Sequence, residues 1–423
     1  MQRLIYNVLV HLATPPALAA ILLRGLRNPA HRGRLGERLG YVRLDAAGDA
    51  SDRLWIHAVS VGEVQAAAVL LRSLQRRYPR YRLLVTTATP TGARRVRDLF
   101  GDQVQHAYLP YDLPGAVRRF LSAARPAIAI VMEREIWPNL FCECAGRGIP
   151  VLLASARLTE RSMRLHRRFA ALFAPALDKV IVAAQTAADA QRFLAIGAPA
   201  PQVHVTGNIK FDMEVDEGLP QAGDALRAAQ FPDRLVWVAG STHEGEEDVL
   251  LDAHRRVCLQ HPGCLLVLAP RHPERFDPVR ACLKARGVRF ASRSAGTSVG
   301  ADTEVLLVDT LGELMLFYAA GDIAFVGGSL VPVGGHNLLE PAVLARPIVV
   351  GPYNFNGPDI ARMFLDSGAA VEAASAAPLA KIIIELAGDT ARRVAMGHLG
   401  RRIVTDNRGA AAHMVQLIEA SLR

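Results

Sequence analysis

Lysine is almost missing from this 423-residue chain. It stands only at 179, 210, 284 and 381, so nearly all of the 49 basic residues are arginine. Aromatic residues make up only 6% and do not interleave with the basic ones. With no RNA- or DNA-binding motif either, nucleic acid is not an expected partner. The five cysteines (142, 144, 258, 264 and 282) are odd in number and unpatterned. Cys142-Glu-Cys144 lacks the two-residue spacer of a zinc or redox pair, so the set reads as reduced thiols of a cytosolic compartment. Neither a Gly-x-Gly-x-x-Gly fingerprint nor a Walker loop occurs, which argues against dinucleotide oxidoreductases and ATPases. The Gly-x-Ser-x-Gly elbow of α/β-hydrolases is missing too. His243 and His272 have no partner histidine at metal-ligand spacing, and no paired-Asp motif lies near these loops, so neither a metal nor another cofactor is expected.

What the chain does have is apolar bulk. Hydrophobic residues make up 51%, with no low-complexity tract, and the length suits two domains. The first hydrophobic segment, residues 4–23, carries no charge and lies between Arg3 and Arg24. Its length suits a bilayer, although Asn7, His11 and Thr14 are polar and Pro15-Pro16 would kink a helix. A membrane anchor is the favoured reading; a monotopic helix and a helix packed on the protein are the rivals. The formal charge is +9, and part of the excess is local: Arg24, Arg27, Arg32, Arg34 and Arg38 follow this segment. Such a cluster suits an anionic membrane surface and keeps the following domain on the cytoplasmic side.

Past a polar link at 45–52, short buried strands alternate with helical stretches. Strands are expected at 54–58, 82–87, 127–132, 150–154, 180–183 and 203–207. After the polar segment 214–233, which reads as an interdomain linker, a second series follows at 235–239, 264–269, 305–308, 323–326 and 347–351. This alternation predicts two doubly wound α/β domains with parallel sheets, whose ligands bind at the carboxyl ends of the strands in a cleft between them.

The polar residues that follow these strands are the candidates for chemistry. Phe325 to Ala342 ends a strand, then brings Gly327-Gly328, Gly334-Gly335 and His336-Asn337, with Asn337 in an N-cap position and Glu340 one turn on. Glycines let backbone N–H groups approach a ligand, and a helix start favours anions. Two readings stand for Glu63: a base at the cleft floor, or a first-turn acid stabilised by the helix dipole. Glu133 and Glu135 flank Arg134, either as substrate-orienting groups or as a solvated acid pair. Lys210 either meets charge on a leaving phosphate or is an exposed hinge lysine. Arg271, with His272 between prolines, suits bidentate phosphate recognition or simply ends a strand. The turn Gly312-Glu313-Leu314 offers further backbone N–H groups.

Taken together, His57-Ala-Val-Ser-Val-Gly-Glu63, Met132-Glu-Arg-Glu-Ile-Trp-Pro-Asn139, Gly207-Asn-Ile-Lys210, Ala239-Gly-Ser-Thr-His-Glu244, Ala269-Pro-Arg-His-Pro-Glu-Arg275, Leu311-Gly-Glu-Leu314 and Gly334-Gly-His-Asn-Leu-Leu-Glu-Pro341 resemble, in order, the 3-deoxy-D-manno-octulosonic acid (Kdo) transferases. Arg134 and Leu338 stand where that family more often has Thr and Pro. The resemblance implies a GT-B glycosyltransferase of two facing Rossmann-like domains with an N-terminal membrane-anchor helix. It divides the chain into an anchor at 1–24, an acceptor-binding domain at 25–212, a linker at 213–233, and a CMP-sugar-binding domain with a helical tail at 234–423. It implies inverting transfer of Kdo from CMP-Kdo to a lipid A precursor, lipid IVA, in lipopolysaccharide core biosynthesis, at the cytoplasmic side of the bacterial inner membrane. By the family pattern Glu63 is the base, supported by Glu133 and Lys210. CMP would be held by Pro270, Arg271, Gly312, Glu313, Leu314, Asn337, Leu338, Leu339 and Glu340, with Glu340 on the ribose. The rival functions are a GT-B enzyme or epimerase using a UDP- or ADP-sugar, and a non-catalytic membrane-bound scaffold.

Overall fold

The computed structural model describes residues 1–27, 33–45 and 53–422; Arg32 and positions 46–52 of the expected polar link lie outside them. The chain forms two compact units, Met1–Glu214 with Asn407–Arg423, and Val215–Asp406.

In the first unit, α1 (Gln2–Arg27) precedes β1 (Arg53–His57), α2 (Val61–Arg77), β2 (Arg82–Thr87), α3 (Pro90–Phe100), β3 (Val104–Tyr108), α4 (Pro114–Ala124), β4 (Pro126–Met132), α5 (Pro138–Gly146), β5 (Val151–Ala156), α6 (Glu160–Arg168), α7 (Ala170–Leu177), β6 (Val180–Ala184), α8 (Ala187–Ala195) and β7 (Val203–Val205). The seven strands are all parallel, in the order β3-β2-β1-β4-β5-β6-β7. Central strands are apolar on both faces because helices cover both. Successive residues of β1 therefore serve different cores. Leu54 and Ile56 join Ile128 and Ile130 on one face, and Trp55 joins Ala129 and Val131 on the other.

The second unit runs α9 (Leu219–Gln230), β8 (Val236–Thr242), α10 (Glu246–Gln260), β9 (Leu265–Pro270), α11 (Phe276–Ala285), β10 (Phe290–Ser292), β11 (Val305–Leu307), α12 (Leu314–Ala320), β12 (Ile323–Val326), α13 (Leu339–Val343), β13 (Ile348–Val350), α14 (Pro358–Asp366), β14 (Ala370–Glu372), α15 (Ala376–Gly388) and α16 (Thr390–Asp406). Its parallel sheet has the order β10-β11-β9-β8-β12-β13-β14. The order reverses beside β1 and β4 in the first sheet and beside β8 and β12 in the second. In open parallel sheets such switch points are where ligands bind.

Three departures from the sequence reading have clear physical causes. Residues 213–233 were expected as a linker, but they contain α9, which packs on α12; a Cβ on Gly223 would come within 2.5 Å of the Ala319 side chain. Residues 407–423 were expected in the second domain. They form α17 (Ala410–Leu422) of the first unit instead, with Met414 and Ile418 completely buried in the core of Leu54 and Ile56. The Asp212 carboxylate accepts Gly409 N and Ala411 N at 2.6 Å each, so the start of α17 is capped from the other end of the unit. Of the expected basic cluster, Arg34 bonds Glu37 at 2.6 Å, while Arg38 donates to Ala88 O at 2.6 Å and lies over the Tyr108 ring at 4.3 Å. Those two arginines are engaged by the protein.

Helix α1 continues through Pro15 and Pro16 and, by length and composition over Gln2–Leu26, is able to cross a membrane. Arg3, Tyr6 and Asn7 share one stripe and have partners. Tyr6 donates to Asp112 Oδ2 at 2.8 Å, Asn7 Oδ1 accepts from Asn139 Nδ2 at 2.7 Å, and Arg3 Nε donates to Asn139 Oδ1 at 3.2 Å. Leu4, Ile5, Val8, Leu9 and Leu12 face outward and are exposed. Asp112, itself buried, also accepts Asn139 N at 2.9 Å and Leu140 N at 2.8 Å, capping α5 from a distance. Asp112→Ala strands both amides and the Tyr6 hydroxyl. We expect a loss of about 2–4 kcal/mol, read from the urea midpoint of the detergent-solubilised protein.

Candidate active site

In the first unit the polar groups gather at the switch point. Glu63 stands in the first turn of α2, immediately beyond β1, and its Oε2 accepts Val59 N at 2.8 Å. Burial is the main reason that its carboxyl is pushed up to about 7; the neighbouring carboxylates of Glu133 and Glu135 act in the same direction, and the Val59 amide opposes them.

Glu133 follows β4 and is 4% exposed. Lys210 Nζ lies 2.9 Å from its Oε1 and Arg157 Nε 2.8 Å from its Oε2. Burial pushes this carboxyl up, but the two cations outweigh burial and hold it below its ordinary value. Lys210 is therefore not an exposed hinge residue, and Glu133 is not one of a solvated pair. The half-buried Glu135 is raised by burial. The backbone here is strained. Glu133 has φ 56° and Ser155, at the end of β5, has φ 50°, left-handed conformations that cost roughly 1–3 kcal/mol each in residues with a Cβ. Ser155 Oγ in turn accepts from Gln185 Nε2 at 3.2 Å.

The second unit assembles its loops around one carboxylate that the sequence reading passed over. Glu246, in the first turn of α10, is fully buried. Its Oε2 accepts His243 N at 2.9 Å and Gly328 N at 2.7 Å; its Oε1 accepts Ser329 N at 3.0 Å and Leu330 N at 2.9 Å. Burial pushes its carboxyl up, while the four amides favour the ionised form. The loop after β12 is thereby tied to the loop after β8. Gly328 has φ +71°, and a Cβ there would come 2.9 Å from the His336 ring. No side chain fits between them. His336 Nε2 lies 2.7 Å from His243 Nε2, and the His243 ring is 5.3 Å from that of His272. Arg271, exposed just beyond β9, donates its backbone N–H to Thr242 O at 3.0 Å, and its charge acts on His336, next to Asn337.

Asn337 Oδ1 accepts Leu339 N at 3.2 Å and its amide donates to Glu340 Oε1 at 3.2 Å, a turn ahead of the short α13, whose N-cap is Leu338 and not Asn337 as expected. Leu338 and Leu339 are buried. Gly312 has φ +87°, and Glu313, which precedes α12, binds Arg293 at 2.6 Å, a hydrogen bond that holds its carboxyl below the usual value. Leu314 lies against β8, where a Cβ on Gly240 would come 2.7 Å from its Cδ1. Pro270 closes β9. The nine expected CMP residues thus come from three loops of one unit. The sequence reading missed Arg157, Glu246 and the contact of His336 with His243, because their partners stand 24, 82 and 93 positions away.

Two doubly wound parallel sheets, each with its polar groups at the switch point, define a GT-B glycosyltransferase architecture. The fold is shared with a glycosyltransferase from Rickettsia africae at TM-score 0.57 and 11% identity, over 89% of this chain and 100% of that one. Residues 33–213 match the family model described as 3-Deoxy-D-manno-octulosonic-acid transferase (kdotransferase). The chain is 39% identical to a 3-deoxy-D-manno-octulosonic acid transferase of Haemophilus influenzae over 100% of this chain and 99% of that protein, and 39% identical to one of Bordetella pertussis over 92% and 91%. It belongs to the Kdo transferase family.

Replacing Glu246 with Gln keeps the side-chain shape but turns an amide NH₂ toward two backbone N–H donors. We expect a loss of about 2–5 kcal/mol and faster hydrogen exchange at residues 328–330, measured by urea unfolding and mass spectrometry.

Proposed function

We propose that the protein transfers Kdo from CMP-Kdo to a lipid A precursor such as lipid IVA, with inversion at the anomeric carbon. Family membership supports the donor and the sugar. The observation that carries the mechanism is Glu63, a half-buried carboxyl whose pKa of about 7 suits a group that must accept a proton near neutrality. An acceptor hydroxyl gives its proton to Glu63 as its oxygen attacks the anomeric carbon. The new C–O bond forms as the bond from that carbon to the phosphate oxygen breaks, and CMP departs with the electron pair.

Glu133 is tied up by two cations and serves as a support. It holds Lys210 in place, and Lys210 supplies positive charge for the developing anion. In the other unit Pro270, Arg271, Gly312, Glu313, Leu314 and residues 337–340 hold CMP. Arg271 takes the phosphate and Glu340 the ribose.

The same reading gives α1 a role at the cytoplasmic face of a bacterial inner membrane. Its exposed Leu4, Ile5, Val8, Leu9 and Leu12 enter the bilayer, while Arg3, Tyr6 and Asn7 keep it docked on its own unit. Among the described residues of the basic set, Arg24 is exposed and free to meet anionic headgroups.

Glu63→Gln should lower kcat by about 10²–10⁴ with CMP binding retained, measured by lipid-product mass spectrometry and calorimetry. In the wild type kcat should rise with pH through about 7. The stability change runs the other way. A carboxyl raised by folding costs stability once it ionises, so that stability is lost as pH climbs from the unfolded value through about 7. The Gln variant should accordingly melt no lower than wild type at pH 8. A UDP- or ADP-sugar enzyme would show inhibition by UDP or ADP; we expect CMP to compete with the donor and UDP and ADP not to.

A further inference from the structure

Three histidines far apart in sequence meet at the switch point of the second sheet. His243 follows β8, His272 follows β9, and His336 lies in the loop after β12. The His243 and His336 rings meet end to end, with 10° between planes and 5.0 Å between centroids, and their Nε2 atoms are 2.7 Å apart. The His272 ring meets His243 edge-on at 5.3 Å.

Two imidazole nitrogens at 2.7 Å share one hydrogen, so one ring donates and the other accepts. The accepting ring carries its own hydrogen on Nδ1. The donating ring has a bare Nδ1. Among the described residues neither Nδ1 has a hydrogen-bond partner. The separation is shorter than the roughly 3.3 Å between two nitrogens on one tetrahedral zinc, so the pair is hydrogen-bonded and not poised as metal ligands.

We propose that His243, His272 and His336 form an anion-receiving cluster of the donor site, in which the His243–His336 pair takes up one proton as an anionic oxygen group of the donor binds. The proton goes to the bare Nδ1, and the Nε2 hydrogen bond is kept. The pair then presents two N–H groups and one positive charge. This rests on the reading of the second unit as the donor site.

The surroundings make the empty pair neutral. Burial, His243, Arg271 and His272 hold His336 down to about 3. Burial, His272, Arg271 and Arg275 lower His243. Three acidic groups on the adjoining elements are engaged elsewhere, and Glu274, two residues beyond His272, is exposed. Glu246 holds four amides, while Glu247 and Glu244 pair with Arg275 at 3.3 and 3.6 Å. A bound anion is the opposite charge that the site lacks. It raises the pair's affinity for a proton, and binding therefore tightens as pH falls.

Calorimetry of the full-length protein in two buffers of different ionisation enthalpy reads the proton count directly. Cytidine carries no anion. The methyl phosphodiester of CMP carries the phosphate without its own titration between pH 6 and 8. CMP-Kdo adds the sugar carboxylate. We expect no uptake with cytidine, uptake approaching one proton at pH 6 and falling away by pH 8 with an anionic ligand, and roughly tenfold tighter binding of that ligand at pH 6 than at pH 8. Uptake already present with the methyl ester assigns the phosphate; uptake only with CMP-Kdo assigns the carboxylate. His336→Asn and His243→Asn should flatten the pH dependence to less than about twofold while still binding cytidine. Tight binding of CMP-Kdo without proton uptake in the wild type overturns this inference alone. Failure of CMP-Kdo and CMP to bind at any pH overturns the donor assignment and the inference together.

Discussion

One buried carboxylate organises the second unit. Among the described residues Glu246 has no side-chain cation; its partners are four backbone amides, one from the loop after β8 and three from the loop after β12. A carboxylate removed from water is stable only if its oxygens are satisfied, and four donors achieve that. Its place in the first turn of α10 adds the favourable end of a helix dipole. The consequence is geometric. The two loops on either side of the switch point cannot move separately, so His243, His336 and the Asn337 turn stay in one arrangement. The first unit solves the corresponding problem with ions. Glu133 is satisfied by Lys210 and Arg157, which fixes two cations instead of two loops.

Much of the fold was legible because central parallel strands are apolar on both faces. Runs such as Ala127 to Met132 and Ile323 to Val326 announce themselves without an alignment. The strands that escaped notice were β3, β10 and β14, and all three are sheet edges. Val104–Tyr108 carries Gln105 and His106, and Ala370–Glu372 ends exposed, so neither gives a continuous apolar run. The placement of α17 escaped for another reason. A helical tail was expected, but a sequence does not say which core a tail helix fills, and the Asp212 cap that decides the matter is about 200 residues away.

The site was legible in its residue types and not in its pairings. Glu63, Glu133, Lys210 and Arg271 stand in recognisable positions after strands, where polar groups in such sheets collect. Glu246 was passed over, since amide partners leave no mark in a sequence. The histidines gave the opposite signal. No metal-type spacing joins them, yet three strand ends of one sheet bring them to within a ring's width of one another.

The two carboxylates of the first unit show how one environment yields two roles. Glu63 and Glu133 are each largely removed from water, and burial alone would raise both. Glu133 meets two cations and is held ionised below its ordinary value; a proton it does not hold near neutrality, and does not readily accept, cannot be exchanged. Glu63 meets a single amide, with like charge nearby, and its pKa settles at about 7. Splitting the pKa values of neighbouring acids in this way separates the group that moves a proton from the group that holds charge. The left-handed backbone at Glu133 belongs to the same division. It turns the side chain toward Lys210 and Arg157 at a cost in strain, and two ion pairs in a half-buried setting hold it there. Because Lys210 is held by Glu133 and not by Glu63, the cation adds little to the acidity of the base. The base can stay near neutrality while positive charge remains fixed in the same unit.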